Sequence, residues 1–278
     1  MQLEKSNRKI SVKFENSLEF AEYANAVPAN NWSKIRDDYS WCGGSFEDAM
    51  EQVKHGNPNR VKKLFDGLNV IEALINEEKV GEIRDVTGEY FDVADFLSGE
   101  PEVFRRDEIG QQKPVVPVYV NFGMLGDISP DIIENRGCAI VALVDELQSS
   151  GFIVDLRIVK GTQYGYDRVY TDIKVMTNPV DLDEIAFLVA NPLTQRRLWF
   201  ACLEHIYEVS NCSDHGYGSS IEYDLNDIFE SGLSGFYFTS SSHRIFSASN
   251  YITLEAAKAH ILGMVEQFKS SASQIILG

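Results

Sequence analysis

Between Val115 and Thr177 the hydrophobic period switches from strand to helix and back to strand, an order that few folds accommodate. Val115–Phe122 alternates apolar and polar residues, the pattern of a half-buried strand. Ser129-Pro130-Asp131 then supplies a cap, a first-turn proline and a first-turn acid. Ile133, Ile140, Leu143, Val144 and Leu147 follow on one helical stripe that closes at Gly151. Alternation returns at Phe152–Val159 and again at Arg168–Thr177, and the Lys160–Asp167 loop between them is short enough for an antiparallel hairpin. Helices are predicted over Leu182–Ala190 and Thr194–Tyr207 and a last strand over Gly235–Thr239. A final amphipathic helix has Leu254, Ala257, Ile261, Met264, Val265 and Phe268 on one face. This order predicts an α+β or α/β chain with an antiparallel or mixed sheet of split βαβ type, covered by helices.

The residues before this unit pattern differently. Lys9–Phe14 alternates as a short strand, and a helix is predicted over Leu18–Asn25. Ser45 is placed as an N-cap with Asp48 at the capping-box position, for a helix over Phe46–His55 ended by Gly56. From Pro58, the residues Val61, Leu64, Phe65, Leu68, Ile71 and Ile75 recur at helical spacing up to Glu78. Residues 81–113 are weakly patterned and end in a Gly-Gln-Gln-Lys-Pro connection. Two domains are therefore predicted: a mainly helical one over 1–110 and an α/β one over 114–278.

Charge narrows the function classes. With 25 Lys+Arg against 42 Asp+Glu, the net charge is −17, spread over both halves. A uniformly acidic surface repels phosphate and argues against sequence-blind duplex binding. Local potential still acts within a Debye length of about 8 Å. Two stretches run against the trend: Lys5, Arg8, Lys9 and Lys13 face only Glu4, while Lys54, Arg60, Lys62 and Lys63 have no acid among them. Both also suit solvated helix or strand faces. The longest apolar run, Cys138–Val144, is far too short to span a membrane, and the charged start of the chain lacks an export-signal pattern. Four cysteines make no disulfide framework. A cytoplasmic protein without membrane partners is expected.

If helices cover one side of the sheet, Val118, Val120, Phe122, Val154, Leu156, Ile158, Val169, Thr171, Ile173 and Val175 face inward. Tyr119, Asn121, Asp155, Arg157, Arg168, Tyr170, Asp172 and Lys174 then face outward. Tyrosine rings for base stacking and cations for phosphates are the mix a single-stranded nucleic acid requires. Lys160, Tyr164 and Tyr166 at the hairpin tip extend this platform. The same residues also suit any exposed strand, with Asp155 and Asp172 pairing the cations.

Other constellations carry less. Cys202, His205, Cys212 and His215 have the ligand types of a zinc site, with a short middle gap; a buried cysteine and a hydrogen-bonding histidine explain them equally. His215-Gly216-Tyr217-Gly218-Ser219-Ser220 lacks the lysine of a phosphate loop, and its glycines point to unusual backbone angles. Glu222, Asp224, Asp227 and Glu230 match no calcium loop. Arg136 and the Arg196-Arg197 pair sit early in helices, where the dipole disfavours cations, and are expected to answer to a carboxylate or phosphate. No nucleophile-elbow, zincin or dinucleotide motif is present. No enzyme activity and no cofactor are expected.

Several segments resemble an uncharacterised family of phage-encoded proteins: Trp41-Cys42-Gly43-Gly44-Ser45-Phe46-Glu47-Asp48-Ala49, Asn135–Leu143 running on to Ser150-Gly151-Phe152, and Arg196-Arg197-Leu198-Trp199-Phe200 before Glu204. In size and acidity the chain is also similar to the single-stranded-DNA-binding cofactor that lytic podophages use with their own RNA polymerase. The resemblance implies a non-enzymatic, oligomeric protein that binds single-stranded DNA and acts with a phage RNA polymerase or in DNA metabolism. The apolar ending Gln274-Ile275-Ile276-Leu277-Gly278 departs from the acidic tails of many phage single-strand binders. Two other readings stay open: an acidic protein–protein module that inhibits a host nucleic-acid enzyme, and a zinc-containing protein.

Overall fold

The computed structural model describes residues 1–57, 82–85, 90–91, 104–107, 115–149, 152–175, 181–212, 217–221, 235–239, 248–261 and 263–264. Strand β1 (Gln2–Ser6) folds back antiparallel onto β2 (Lys9–Phe14). Helix α1 (Ser17–Asn25) starts at Asn16, whose side chain accepts the Glu19 N–H at 2.8 Å. Two single-turn helices follow, α2 (Trp32–Ile35) and α3 (Tyr39–Cys42). Helix α4 (Phe46–His55) opens on the predicted capping box, in which Ser45 and Asp48 each accept the other's backbone N–H, and Gly56 at φ 71° ends it. The helix predicted from Pro58 to Glu78 lies outside the described residues. Within the stretch read as a connection, β3 (Glu82–Asp85), β5 (Phe104–Asp107) and β4 (Tyr90–Phe91) form a small antiparallel sheet in that order. Strands this short carry too few residues to register as alternation.

The main sheet is mixed, one of the two arrangements the α+β reading allowed. Its order is β1-β2-β8-β7-β6-β10, formed with β6 (Val115–Asn121), β7 (Ile153–Tyr164), β8 (Asp167–Val175) and β10 (Phe236–Phe238); β9 (Ser219–Ile221) pairs the far half of β7. The β2–β8, β6–β7 and β10–β6 ladders are parallel, and β7–β8 and β7–β9 are antiparallel. Because β6 and β7 are direct neighbours, the βαβ unit built around helix α5 (Pro130–Ser149) is unsplit. The β2–β8 ladder also joins stretches on either side of the expected 110–114 boundary. Residues 1–57 therefore share one sheet and one apolar core with the residues after 115.

Helices α1, α4, α5, α6 (Leu182–Ala190) and α7 (Phe200–Tyr207) cover one face of this sheet. The ten residues expected to face inward are all buried there. Helix α7 is entered through a π-helical turn, Thr194–Trp199, whose six residues are all buried. Residues 254–261 form α8, with Ala257 and Ile261 buried. Among the described residues, no helix is long and apolar enough to cross a membrane.

Close packing of α5 on α6 depends on Gly137. A Cβ there would lie 2.2 Å from Ala190 Cα and 2.3 Å from Ala190 Cβ. Gly137→Ala is expected to cost about 1–3 kcal/mol through overpacking, seen as a lower denaturant midpoint with an unchanged m-value. Gly126→Ala is the control: its Cβ meets only Trp41 Cζ2, at 3.9 Å, so a change within about 0.5 kcal/mol is expected.

Candidate functional site

The uncovered face of the sheet carries the outward residues, but in a different state from the one predicted. Tyr119 and Tyr170 do share this face, yet they are only 9% and 7% exposed, packed with Val159, Ile221 and Tyr237 into a second apolar cluster. Burial pushes the Tyr119 phenol above its ordinary value. Rings so covered offer no free surface for a base, so the expected stacking on Tyr119 and Tyr170 is corrected. Asn121 is fully buried: its amide donates to Ile221 O and to Tyr237 Oη, each at 3.3 Å, and its Oδ1 accepts the Gly123 N–H at 3.0 Å. Its polar atoms are thus engaged by the protein. Arg157 lies between Asp155 and Asp172, at 3.4 Å from each. Burial lifts the Asp172 carboxyl above its ordinary value, against the pull of Arg157 and Lys13.

The hairpin is longer than predicted. Tyr164 pairs Asp167 across Gly165-Tyr166, and Gly165 at φ 58° takes the left-handed first position that such turns favour. Residues 160–163 therefore continue β7, and alternation carries Lys160 to the helix-covered side, at 2% exposure. Its placement on the exposed tip is corrected. Tyr164 is half-buried against Tyr207, ring centroids 4.6 Å apart. Lys174 and Arg168 are exposed on β8, and Lys54 is exposed on α4, in the helical layer. Arg60, Lys62 and Lys63 lie outside the described residues.

Exposed cations and tyrosine meet at the other end of this face, where the β1–β2 turn approaches the β7–β8 turn. The Arg168 backbone N–H donates to Arg8 O at 2.8 Å, and the parallel register sets Lys9 beside Arg168. Arg8 lies 5.3 Å from the centre of the Tyr166 ring, and Lys9 5.3 Å from that of Tyr170. Together with Asn7 and Gln163 they line an open recess of about 480 Å³, with no carboxylate among the described residues lining it. Tyr166, 84% exposed, is the accessible ring. The basic Lys5–Lys13 stretch was the sequence signal for this corner; its meeting with Tyr166 depends on a ladder between residues far apart in the chain.

A second cavity, of about 290 Å³, opens on the helical side. Trp32, Trp41, Phe200 and Tyr217 wall it. Tyr217 stacks on Phe200 at 4.1 Å and on Trp32 at 5.1 Å. The Arg36 guanidinium is 3.8 Å from the Trp32 ring centre and 4.6 Å from that of Trp41. Lys160 forms part of its floor, 5.2 Å from the Trp199 ring centre. Burial, reinforced by Arg196, holds its amine well below the ordinary lysine value. Behind the walls, buried Glu204 accepts from Asn31 Nδ2 and from Ser33 N, each at 3.0 Å, from Ser33 Oγ at 2.6 Å, and from the Tyr217 hydroxyl.

The three arginines expected to meet an anion all bind backbone carbonyls. Arg196 donates to Trp41 O and Ile128 O, each at 2.5 Å. Arg197 donates to Gly44 O (3.0 Å), Ser33 O (3.1 Å) and Arg36 O (3.0 Å). Arg136 reaches Asn121 O at 3.2 Å and Thr239 O at 3.0 Å. Backbone carbonyl oxygens are acceptors that satisfy a buried guanidinium as a carboxylate would. These contacts tie residues 33–44 to the π turn. Of the zinc-type residues, Cys202 and Cys212 are buried thiols raised by burial, Cys212 to about 11. His205 Nδ1 donates to Tyr23 O at 2.8 Å, while His215 lies outside the described residues. Among the described residues, no three His, Cys, Asp or Glu side chains gather as a metal site. Glu222, Asp224, Asp227 and Glu230 also lie outside them.

A family model described as a domain of unknown function (DUF7192) matches residues 3–261. The chain belongs to this family. The matched region holds every residue named in both recesses, so corner and cavity alike fall within the family domain. No curated protein and no solved structure matches the chain.

Proposed function

We propose that the protein binds single-stranded nucleic acid, DNA in the first instance, at the Arg8–Lys9–Arg168 corner of its open sheet face. The observation that carries this reading is a recess with three cations, an exposed tyrosine and no lining carboxylate among the described residues, on a chain of net charge −17. Phosphates pair with Arg8, Lys9 and Arg168, and a base stacks on Tyr166. The surrounding negative field disfavours the longer, denser phosphate array of a duplex. In the phage setting of the resemblance, this is a non-enzymatic role in the host cytoplasm, serving a phage RNA polymerase or DNA metabolism as an oligomer.

Titration of a labelled oligothymidylate against salt tests it. Three neutralised phosphates predict a slope of log K against log salt of about −2. The Arg8→Ala/Arg168→Ala pair is expected to flatten that slope by about 1.4. Tyr166→Ala is expected to lose about 1–3 kcal/mol. Salt-independent affinity, equal binding to duplex, or unchanged binding by the double variant would each sink the proposal.

A further inference from the structure

The cavity on the helical side has the makings of a second, independent binding site. Lys160 reaches its floor from the core side of β7 while only 2% exposed. Among the described residues, no carboxylate and no hydrogen-bond acceptor pairs with its amine; it faces Phe122, Trp199, Arg196 and Cys202. An amine held in the interior without a counter-charge is costly, and a ligand anion is the partner that relieves the cost. Arg36 adds a second cationic group to the wall. Its Nε and Nη2 engage Asp38, but its buried Nη1 has no acceptor.

The rest of the lining fits an anion attached to a flat ring. No carboxylate lines the cavity among the described residues, and because Arg36 packs over the Trp32 and Trp41 rings and Arg196 over Trp41, a flat ligand ring meets these indoles at their edges. At the rim, Gly218 has φ +78°, and a Cβ there would fall 2.3 Å from Thr162 Cγ2. The chain thus passes tight against β7 and presents the small, hydroxyl-bearing Ser219 and Ser220 to the cavity. A volume of about 290 Å³ is at the lower end for small-molecule sites, which limits the occupant to one ring system and one short charged arm.

We propose that this cavity binds a nucleoside monophosphate, with its phosphate on Lys160 and Arg36 and its base against Trp32 and Trp41. The inference stands apart from the nucleic-acid reading, because the two recesses lie on opposite sides of the sheet and share no lining residue.

Tryptophan emission of the full chain, titrated with adenosine monophosphate at constant ionic strength, tests it, with adenosine and inorganic phosphate as separate arms. A saturable change is expected for the nucleotide, with each fragment at least tenfold weaker. Lys160→Met is expected to weaken the nucleotide at least tenfold while circular dichroism stays unchanged. Arg36→Gln supplies a second variant should Lys160→Met misfold, with a loss of about fivefold expected from one charge-assisted bond. The Arg8→Ala/Arg168→Ala protein should bind the nucleotide as the parent does, which separates the two proposals. No saturable response up to about 10 mM, fragments that bind as tightly as the nucleotide, or a folded Lys160→Met or Arg36→Gln protein with parental affinity would overturn it.

Discussion

The Glu204→Ala protein is expected to unfold with about 3–5 kcal/mol less free energy than the parent. Glu204 is fully buried and gathers four donors: the Asn31 amide, the Ser33 backbone N–H, the Ser33 hydroxyl and the Tyr217 hydroxyl. Removing the carboxylate strands these donors in a region closed to water, and each unsatisfied group costs about 1–3 kcal/mol. Some of that is recovered, because the Asn31 amide also reaches Val209 O at 3.0 Å. Glu204→Gln keeps the shape and two acceptor lone pairs but turns an NH2 toward at least one donor, so about half the loss is expected. Denaturant unfolding reads both values as midpoint shifts at constant m. A loss under about 1 kcal/mol for the alanine variant would refute the account. The same contacts tie α2 and Tyr217 to α7, so the cavity walls at Trp32 and Tyr217 should loosen with the fold.

Lys160→Met carries the second large effect, with opposite sign. The Lys160 amine sits well below its ordinary value in the folded chain and regains that value on unfolding. Between the two values the unfolded chain binds more protons, so the parent gains stability as pH rises, with a limiting slope of about 1.36 kcal/mol per pH unit. Methionine fills similar volume without a charge and removes this dependence. The variant is expected to be more stable than the parent by about 1–4 kcal/mol near neutral pH. The advantage should grow toward lower pH, until the folded amine is itself protonated, and shrink as pH rises. Thiol ionisation acts the other way above about pH 8, because Cys42, Cys202 and Cys212 are all raised in the fold. The contrast between variant and parent cancels the Cys42 and Cys212 contributions, and measurements below about pH 8 avoid that of Cys202, which interacts with Lys160. Stability curves at several pH values decide it. A variant less stable than the parent, or a pH-independent difference, would show that Lys160 has a counter-charge in the folded protein.

Local pattern carried much of the architecture. Alternation in 115–122, 152–159 and 168–177 assigned the ten inward residues to the covered face, because a strand's period of two is set by its own backbone. The capping box at Ser45 was legible because its partners are three residues apart. Less could be read of the candidate sites. Polar residues at 160–163 look like a loop in sequence, yet they continue β7 because β8 and β9 supply neighbours on both sides. The exposed ring proved to be Tyr166 at the turn, while Tyr119 and Tyr170 pack with Val159, Ile221 and Tyr237. For the cavity, the basic and aromatic residues at 32, 36, 41, 160 and 217 share no local period, so nothing in the chain order groups them.

Sequence alone therefore determined β2, β6, β8, β10 and the first part of β7, the longer described helices, which faces of those strands are apolar, and that the chain is strongly acidic. Each of these depends on spacing within a few residues or on a sum over the chain. The tertiary structure decided which strands are neighbours, which tyrosines are covered, and where exposed cations gather. Those depend on pairing and coverage between distant segments, which a backbone period cannot encode.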